Sequence, residues 1–300
     1  MGAGSEAIEE REFPAAMVAA APDRPIASSE RVLVIQPRRS WSALEFRDLF
    51  EARELFFVLA GRDISVRYKQ TALGAAWAIL QPLMTMLIFT VLFGKIAKLP
   101  SDGIPYPIFA YAGLLPWTFF ANAVTNSSNS LVGSANLISK VYFPRMVIPA
   151  AAVGAGLVDF AVASAILLVM MLYYGIWPSF SIVMLVPLVV LLSITSLAAG
   201  LWLSALNVKY RDVRYAVPFL IQIGMYLTPI VYPISVIPMK YRWLLALNPV
   251  SGTIQGFRSA LLHLPFDWSA LLLSAVITVG FLVFAAYSFK SMEREFADVI

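Results

Sequence analysis

The sequence lacks cysteine and contains a single histidine, and these absences exclude two kinds of site. Without cysteine the chain can form neither a disulfide framework nor a thiolate metal site, and His263 alone cannot form a histidine-rich one. No metal site is therefore predicted. Charged residues are also scarce, at 13% of the 300 residues, which is about half the share of an ordinary soluble domain.

Motifs for nucleotide binding and hydrolysis are missing as well. The phosphate-binding pattern Gly-x4-Gly-Lys-Ser/Thr does not occur, since Gly94 and Lys95 are followed by Ile96 and no glycine stands at the earlier position. The sequence also contains no Gly-x-Ser-x-Gly elbow, no His-Glu-x-x-His helix and no conspicuous carboxylate pair. The chain is therefore predicted not to be an enzyme and to hold no cofactor of its own.

Hydrophobic residues, by contrast, make up 60% of the chain, and its mean hydropathy is +0.77. A soluble domain needs more polar surface than this composition supplies, so the main solvent of the chain is predicted to be lipid. A bilayer core about 30 Å thick requires roughly 20 apolar residues per helical crossing, and several stretches approach or exceed that length. The sequence therefore predicts an all-α membrane protein.

Six apolar stretches are predicted as transmembrane helices. The fifth is interrupted by Pro218 and Pro229, whereas the last contains neither a charge nor a proline. Six crossings place both termini on the same side of the membrane. The predicted spans are Thr71–Phe93, Ile108–Thr125, Val147–Tyr173, Phe180–Leu206, Tyr215–Tyr232 and Trp268–Phe289.

The net charge of +4 comes from short basic clusters beside these spans, so nucleic-acid binding is not predicted. Basic residues near spans mark the cytoplasmic side of the membrane, which would hold both termini. The bias is incomplete, because Lys95, Lys98, Lys240, Arg242 and Arg258 flank the spans on the opposite side. The predicted cytoplasmic residues are Arg62, Arg67, Lys69, Lys140, Arg145, Lys209, Arg211, Arg214, Lys290 and Arg294.

Three segments flank the six-span region, residues 71–290. Residues 1–40 are rich in Ala, Pro, Glu and Arg and are predicted to be a disordered cytoplasmic tail, and residues 291–300 form a second tail. In the third segment, residues 41–70, charged and aromatic side chains alternate at helical spacing from Trp41 to about Ala60. This pattern predicts an amphipathic interface helix, with a soluble helix packed on a partner as the alternative.

The segment from Pro233 to Asp267, between the last two spans, is too apolar for an ordinary loop. Pro238, Pro249 and Pro265 divide it into pieces too short to cross the bilayer. Such backbone is tolerated at membrane depth where protein or a wet cavity surrounds it. The sequence therefore predicts a re-entrant helical hairpin that enters from the outer face.

Asp159 is the most conspicuous charge inside a predicted span. A charged side chain at the bilayer centre costs about 3 kcal/mol, so Asp159 should face protein or water. It could contact a substrate or couple protons, but an internal pair within the helix bundle is the favoured interpretation. Gly154, Gly156 and the neighbouring alanines predict close helix packing.

Polar and aromatic side chains near the spans form a second group of interest. Sugar rings stack on aromatic faces while their hydroxyls need donors and acceptors, so a sugar conduit requires both types. For any single aromatic residue, the ordinary belt at a membrane interface is the favoured alternative. The channel candidates are Trp77, Gln81, Tyr111, Trp117, Phe120, Asn122, Tyr226 and Tyr232.

One longer pattern carries a family resemblance. Residues 62–82, RDISVRYKQTALGAAWAILQP, resemble the start of the first span in the permeases of polysaccharide ABC transporters, which export O-antigen, group 2 capsule and teichoic acid polymers. Three further stretches support the likeness, which extends from Trp41 to Phe289. They are residues 136–145, residues 210–212 followed by 228–233, and residues 248–249 followed by 256–258.

The resemblance implies a homodimer joined to two copies of a separate ATPase, which would bind the ATP and Mg²⁺. It implies export of an undecaprenyl-linked polysaccharide across the bacterial inner membrane, with O-antigen preferred, through a channel lined by the first, second and fifth spans. An ABC permease for a drug or another small amphiphile is one alternative. An ion-coupled secondary transporter that uses Asp159 is the other.

Two sets of site residues follow from the same resemblance. The segment between the second and third spans would form a short coupling helix that docks in a groove of the ATPase, which its apolar and basic side chains suit. The helix before Arg62 would form a gate where the polymer enters. The coupling residues are Asn136, Leu137, Ile138, Lys140, Val141, Tyr142, Phe143 and Arg145, and the gate residues are Arg62, Arg67, Tyr68 and Lys69.

Overall fold

A computed structural model describes residues 52–69, 76–141 and 143–293, together with Phe296. These residues form helices joined by turns, with no strand among them. The predicted tail at residues 1–40 and the first part of the predicted interface helix, residues 41–51, lie outside the described residues. The α-helices are α1 Arg53–Lys69, α2 Ala76–Phe89, α3 Tyr106–Gly133, α4 Ala135–Ile138, α5 Val147–Tyr173, α6 Leu185–Lys209, α7 Val213–Leu227, α8 Arg242–Ala246, α9 Pro249–Leu262 and α10 Trp268–Glu293.

Five helical stretches of the described chain are long and apolar enough to cross a membrane, which confirms the predicted all-helical membrane class. The predicted third span coincides with α5, and the others differ from the observed helices at one or both ends. A π-helical turn, Thr90–Ile96, extends α2, and a 3₁₀ turn, Phe180–Met184, precedes α6. The five stretches are Ile79–Ile96, Tyr106–Gly133, Val147–Tyr173, Phe180–Lys209 and Trp268–Glu293.

α3 continues to Gly133, well past the predicted end of the second span at Thr125. The extension is a run of polar residues that bond back to the preceding turn of their own helix. Ser128 Oγ donates to the Thr125 carbonyl at 2.8 Å, and Ser130 Oγ donates to the Ser127 carbonyl at 2.7 Å. Because these hydroxyls are satisfied locally, polarity ends the apolar pattern without ending the helix.

α7 is the shortened counterpart of the fifth predicted span. It ends at Leu227, whereas the apolar stretch continues to Tyr232. Proline disfavours helical geometry in the residue before it, and Thr228, which precedes Pro229, is extended with φ −98° and ψ 138°. The 15 residues of α7 rise about 22 Å, which is less than a bilayer core of about 30 Å.

α3 lies at the centre of the bundle and packs against α2, α5, α6, α7 and α9. Its side chains Ile108, Phe109 and Tyr111 are fully buried. A second apolar cluster joins α1, α5, α6 and α10 around residues such as Leu59 and Phe289. Buried hydroxyls add polar links between spans, since Thr195 of α6 and Thr278 of α10 lie 2.9 Å apart.

Small residues on α5 receive α1 at close range. The ring of Phe56 lies against Gly154, where an added Cβ would approach the ring to 2.6 Å. Leu59 and Ala60 of α1 are buried, while Phe57 and Val58 are exposed on its other side. α1 therefore carries apolar residues on both sides, and the side that faces α5 attaches it to the bundle.

The chain between α7 and α10 folds back into the bundle. α8 is a short exposed helix, whereas nearly every residue of α9 is buried among α3, α6 and α10. Asn248 caps α9 by accepting a hydrogen bond from the Val250 N–H at 3.1 Å, and its Nδ2 donates to Thr228 Oγ1 at 2.9 Å. The start of α9 is thereby tied to the end of α7.

Arg258, in the second half of α9, binds the non-helical residues that break the apolar stretch after α7. Its side chain is fully buried, its Nη1 donates to the Pro229 carbonyl at 2.6 Å, and its Nη2 donates to the Ile230 carbonyl. The guanidinium carbon lies 3.8 Å from the ring centre of Phe109 on α3. The backbone carbonyls that the break exposes are therefore satisfied by a cation, as buried non-helical backbone requires.

Candidate functional site

A groove lined by both polar and apolar side chains runs between α1, α3 and α5 and consists of two adjacent cavities that share Arg67 and Asn126. The inner cavity has a volume of about 280 Å³ and also reaches α2. The outer cavity has a volume of about 430 Å³ and lies along α1 and the polar end of α3. The polar residues that line the inner cavity are Arg67, Tyr68, Gln81, Thr118, Asn122, Asn126 and Asp159, and those of the outer cavity are Arg62, Asp63, Arg67, Asn126, Asn129, Ser130 and Ser134.

Asp159 occupies the boundary between α5 and α1. Arg67 Nη1 forms an ion pair with one oxygen of its carboxylate, and the Tyr68 hydroxyl donates a hydrogen bond to the other. Burial, together with the hydrogen bond to Asp159, raises the pKa of Tyr68 to about 12, so the phenol stays protonated and donates at neutral pH. The intramembrane carboxylate is thus held by a cation and a hydroxyl from α1.

Three side-chain amides of the inner cavity, those of Gln81, Asn122 and Asn126, make no hydrogen bond to any described residue. The indole of Trp77 is 54% exposed at the same cavity, and the ring of Phe160 forms part of its wall. Accessible amides beside aromatic surfaces suit a ligand that presents hydroxyls and apolar ring faces. The arrangement can bind and orient such a ligand, and it offers no activated nucleophile for covalent chemistry.

The inner cavity brings together five of the predicted residues from two sets. Arg67 and Tyr68 of the gate set meet Trp77, Gln81 and Asn122 of the channel set around the inner cavity. Arg62 lies in the outer cavity, where its Nη2 is 2.8 Å from Asp63 Oδ1. Lys69 is exposed at the end of α1 and lines neither cavity.

The remaining channel candidates lie outside the groove. Tyr111 is fully buried, and its hydroxyl donates to the Ala163 carbonyl at 3.0 Å, so it packs within the bundle. Trp117 is also buried, and Phe120 stands next to it with ring centres 5.5 Å apart. Tyr226 is exposed on α7, and the half-buried Tyr232 donates to the Tyr226 carbonyl at 3.2 Å.

Sequence reasoning missed the polar end of α3 as part of a site. Asn129 and Ser130 line the outer cavity, although the predicted span ended before them. Their signal was the dense polar run at residues 125–130 next to an apolar stretch. The pairing of Asp159 with Arg67 had no signal of its own, because 92 residues separate the two along the chain.

The predicted coupling segment contains one helical turn, α4, in place of a helix across residues 136–145. Asn136, Lys140 and Val141 are exposed, while Leu137, Ile138 and Phe143 pack on the cluster that joins α1, α5, α6 and α10. Arg145 turns towards the end of α10. Its Nη1 donates to the Glu293 carbonyl at 3.0 Å, and its guanidinium lies 5.8 Å from the ring centre of Phe296. Tyr142 lies outside the described residues.

Outside the groove, Asp267 caps the start of α10. Its Oδ1 accepts hydrogen bonds from Ser269 Oγ at 2.6 Å and from the Ala270 N–H at 3.0 Å. These bonds, the one from Ser269 above all, hold the pKa of Asp267 below its usual value. Among the described residues, no group of three or more acidic or histidine side chains could hold a metal ion.

A family model for ABC-2 type transporters matches residues 54–262 of the chain, from α1 to the end of α9. The chain belongs to the ABC-2 type transporter family. This membership, with the relatives described next, confirms the resemblance inferred from residues 62–82 and the three shorter stretches. Both cavities of the groove, Asp159 and the α7–α9 region lie inside the matched segment.

Curated relatives in this family cover most of the chain. An O-antigen export system permease protein of Myxococcus xanthus is 33% identical over 259 residues, which is 85% of this chain and 98% of that protein. An O-antigen export system permease protein of Klebsiella pneumoniae is 29% identical over 82% of this chain and 95% of its own length. A polysialic acid transport protein of Escherichia coli is 26% identical over 67% of this chain and 78% of its own length.

Proposed function

We propose that this chain is the membrane-spanning permease of an ABC exporter that moves lipid-linked polysaccharide, preferably O-antigen, across the bacterial inner membrane. The observation that carries the proposal is the match to an O-antigen export permease across 98% of that relative. The polysialic acid relative extends the same substrate class to another polymer. ATP hydrolysis takes place in a separate partner chain, and this chain supplies the path.

The proposed topology has six crossings, with α7 as the fifth and with α8 and α9 as a re-entrant hairpin. In this topology residues 228–231 continue from the short α7 across the remaining bilayer thickness. Their polar groups are hydrogen-bonded to Tyr106, Asn248 and Arg258. The burial of α9 supports its place at membrane depth, because protein surrounds it on all sides. The basic clusters beside the spans support a topology with both termini in the cytoplasm.

The proposed docking surface for the ATPase is the turn between α3 and α5. Its exposed residues Asn136, Lys140 and Val141 face outward and can contact a partner. Its inward residues reach the bundle, because Leu137 and Phe143 pack on the cluster that joins α1, α5, α6 and α10, and Arg145 binds the end of α10. A movement of the turn is therefore transmitted to the helix bundle. The proposed complex contains two permeases and two ATPases.

The proposed path for the glycan includes the inner cavity, whose amides and exposed indole suit sugar hydroxyls and ring faces. α1 acts as the gate beside it, since Arg67 and Tyr68 attach the end of α1 to the transmembrane helix α5. In this arrangement the polymer passes between the two permease copies while its undecaprenyl-type lipid stays in the bilayer.

The test is reconstitution of the chain with its partner ATPase in lipid vesicles. We expect ATP hydrolysis that responds to lipid-linked polysaccharide, and ATP-dependent transfer of the glycan across the membrane. Lys140→Glu with Val141→Asp should uncouple hydrolysis from the glycan, whereas Lys95→Glu, an exposed cation elsewhere on the chain, should not.

Two outcomes would overturn the proposal. ATP-dependent movement of a small amphiphile without movement of glycan would assign the chain to small-molecule export. Transport without any nucleotide that a protonophore abolishes would identify an ion-coupled transporter, and Asp159 would then be its candidate carboxylate.

A further inference from the structure

Two arginines line the outer cavity, and each of them is paired with a carboxylate. Arg62 and Arg67 line it with a single carboxylate, that of Asp63, and the other polar lining groups are amides and hydroxyls. Asn126 stands where the two cavities meet, is exposed, and makes no hydrogen bond to any described residue. The cavity therefore offers two cations and an amide donor to a ligand that enters from the surface of α1.

Arg67 stands between this cavity and Asp159. Its guanidinium pairs with the Asp159 carboxylate on the inner side, yet the same side chain lines the outer cavity and is about one third exposed. A guanidinium binds carboxylates and phosphates through the same planar fork of donors. The Asp159 carboxylate therefore uses the same guanidinium donors of Arg67 that an anionic ligand would use.

The position of the cavity narrows the chemistry of that ligand. It lies at the end of α1, beside the polar end of α3, where the apolar part of the bundle gives way to Asn and Ser side chains. The hydroxyls of a neutral glycan can accept hydrogen bonds from arginine but carry no charge to pair with it. A phosphate or diphosphate group gains from both, because charge-assisted hydrogen bonds are the strong ones.

We propose that the outer cavity binds a phosphate-type anion, and that Asp159 competes with this ligand for Arg67. When the ligand binds, Arg67 turns from Asp159 to the phosphate, while Tyr68 keeps its hydrogen bond to Asp159. One of the polar links between α1 and α5 is then lost. The site rests on the proposed function only for its physiological source, which would be the phosphate that joins a lipid to its polysaccharide.

Native mass spectrometry of the purified full-length chain in detergent tests the site. The probes are a polyprenyl diphosphate, the matching neutral polyprenol and phosphatidylglycerol, with inorganic pyrophosphate as a soluble competitor. We expect the diphosphate lipid to bind at least tenfold more tightly than the polyprenol. Competition by pyrophosphate would show that the phosphate groups suffice for binding. Preference for the lipid form would show that the polyprenyl tail also contributes.

The variants give effects of opposite sign. Arg62→Gln and Arg67→Gln should each weaken binding of the diphosphate lipid roughly tenfold. Asp159→Asn should strengthen it, because the internal competitor loses its charge. Arg53→Gln removes an exposed arginine of the same helix that lines neither cavity, and it should leave the affinity unchanged.

A purely structural ion pair predicts a different pattern, in which Asp159→Asn and Arg67→Gln weaken binding alike. That pattern would overturn the proposal, as would equal binding of the neutral polyprenol or binding insensitive to both arginines. Arg62→Gln keeps the test decisive if Arg67→Gln fails to fold, since Arg62 is exposed and Asp63 is its one hydrogen-bond partner among the described residues. The assay needs neither ATPase nor transport, so its failure and the failure of polysaccharide export are distinguishable.

Discussion

Replacing Arg258 with methionine tests how the break after α7 is held. The substitution keeps an unbranched side chain in the core but leaves the carbonyls of Pro229 and Ile230 without their buried donor. Each unsatisfied carbonyl costs about 1–3 kcal/mol, and the lost contact with Phe109 adds about 0.5–2 kcal/mol. Because the charge no longer has to be desolvated, part of this cost is offset.

We therefore expect Arg258→Met to lower the free energy of unfolding by about 2–4 kcal/mol. Arg258→Lys keeps the charge but lacks the planar fork that reaches both carbonyls, so its cost should be intermediate. The measurement is equilibrium unfolding of the purified protein in detergent. Lys240→Met, an exposed cation in the same connection, is the control and should change stability by less than about 0.5 kcal/mol.

A double-mutant cycle with Gly113 sharpens the test. A Cβ added at Gly113 would stand 2.5 Å from Arg258 Nη2, so Gly113→Ala should displace the guanidinium and destabilise the protein. Once Arg258 is methionine, the added methyl group has no guanidinium to displace. The double variant should therefore be destabilised by less than the sum of the two single effects. Strict additivity, or an Arg258→Met protein as stable as the Lys240→Met control, would refute the reasoning.

Three further predictions concern packing, a helix cap and the coupling turn. Gly200→Ala should destabilise the protein by about 1–3 kcal/mol in the same unfolding assay, because its Cβ would lie 2.2 Å from Ser127 Oγ; an unchanged stability would mean that α3 and α6 can separate freely. For Asp267, the lowered folded-state pKa means that its stabilisation is full above the unfolded pKa of about 3.9 and is lost as the pH falls through the folded value. The stability difference between the native protein and Asp267→Asn should therefore shrink in acid, and a constant difference from pH 7 to pH 3 would contradict it. Arg145→Gln should lower both stability and ATPase coupling, since Arg145 binds the Glu293 carbonyl, whereas the exposed Lys140→Gln should affect coupling alone; equal thermal stability of the two variants would count against this assignment.

The sequence predicted the membrane class and most of the spans because both depend on local composition. Nearly 20 consecutive apolar residues need a helix in lipid whatever the rest of the chain does. This is why Val147–Tyr173 was predicted at both ends. The end of α3 was missed because Thr125, Ser128 and Ser130 satisfy their own hydroxyls within the helix, which composition does not reveal.

The candidate site was predicted in part. Arg67, Tyr68, Trp77, Gln81 and Asn122 were selected from separate patterns, and the structure gathers them around one cavity. Tyr111 and Trp117 were selected by the same reasoning but lie in the packed interior. An aromatic residue in a span has the same local signal whether it faces a cavity, a neighbouring helix or lipid, so the sequence could not separate these cases.

What the sequence determined by itself was therefore the solvent of the chain, the helices that this solvent imposes, and the family to which the motifs belong. The tertiary structure decided which distant groups meet. Asp159 acquired Arg67 and Tyr68 as partners, and Arg258 acquired the carbonyls of Pro229 and Ile230. The physical reason is that the cost of a buried charge depends on the groups that surround it, and helix packing alone places those groups.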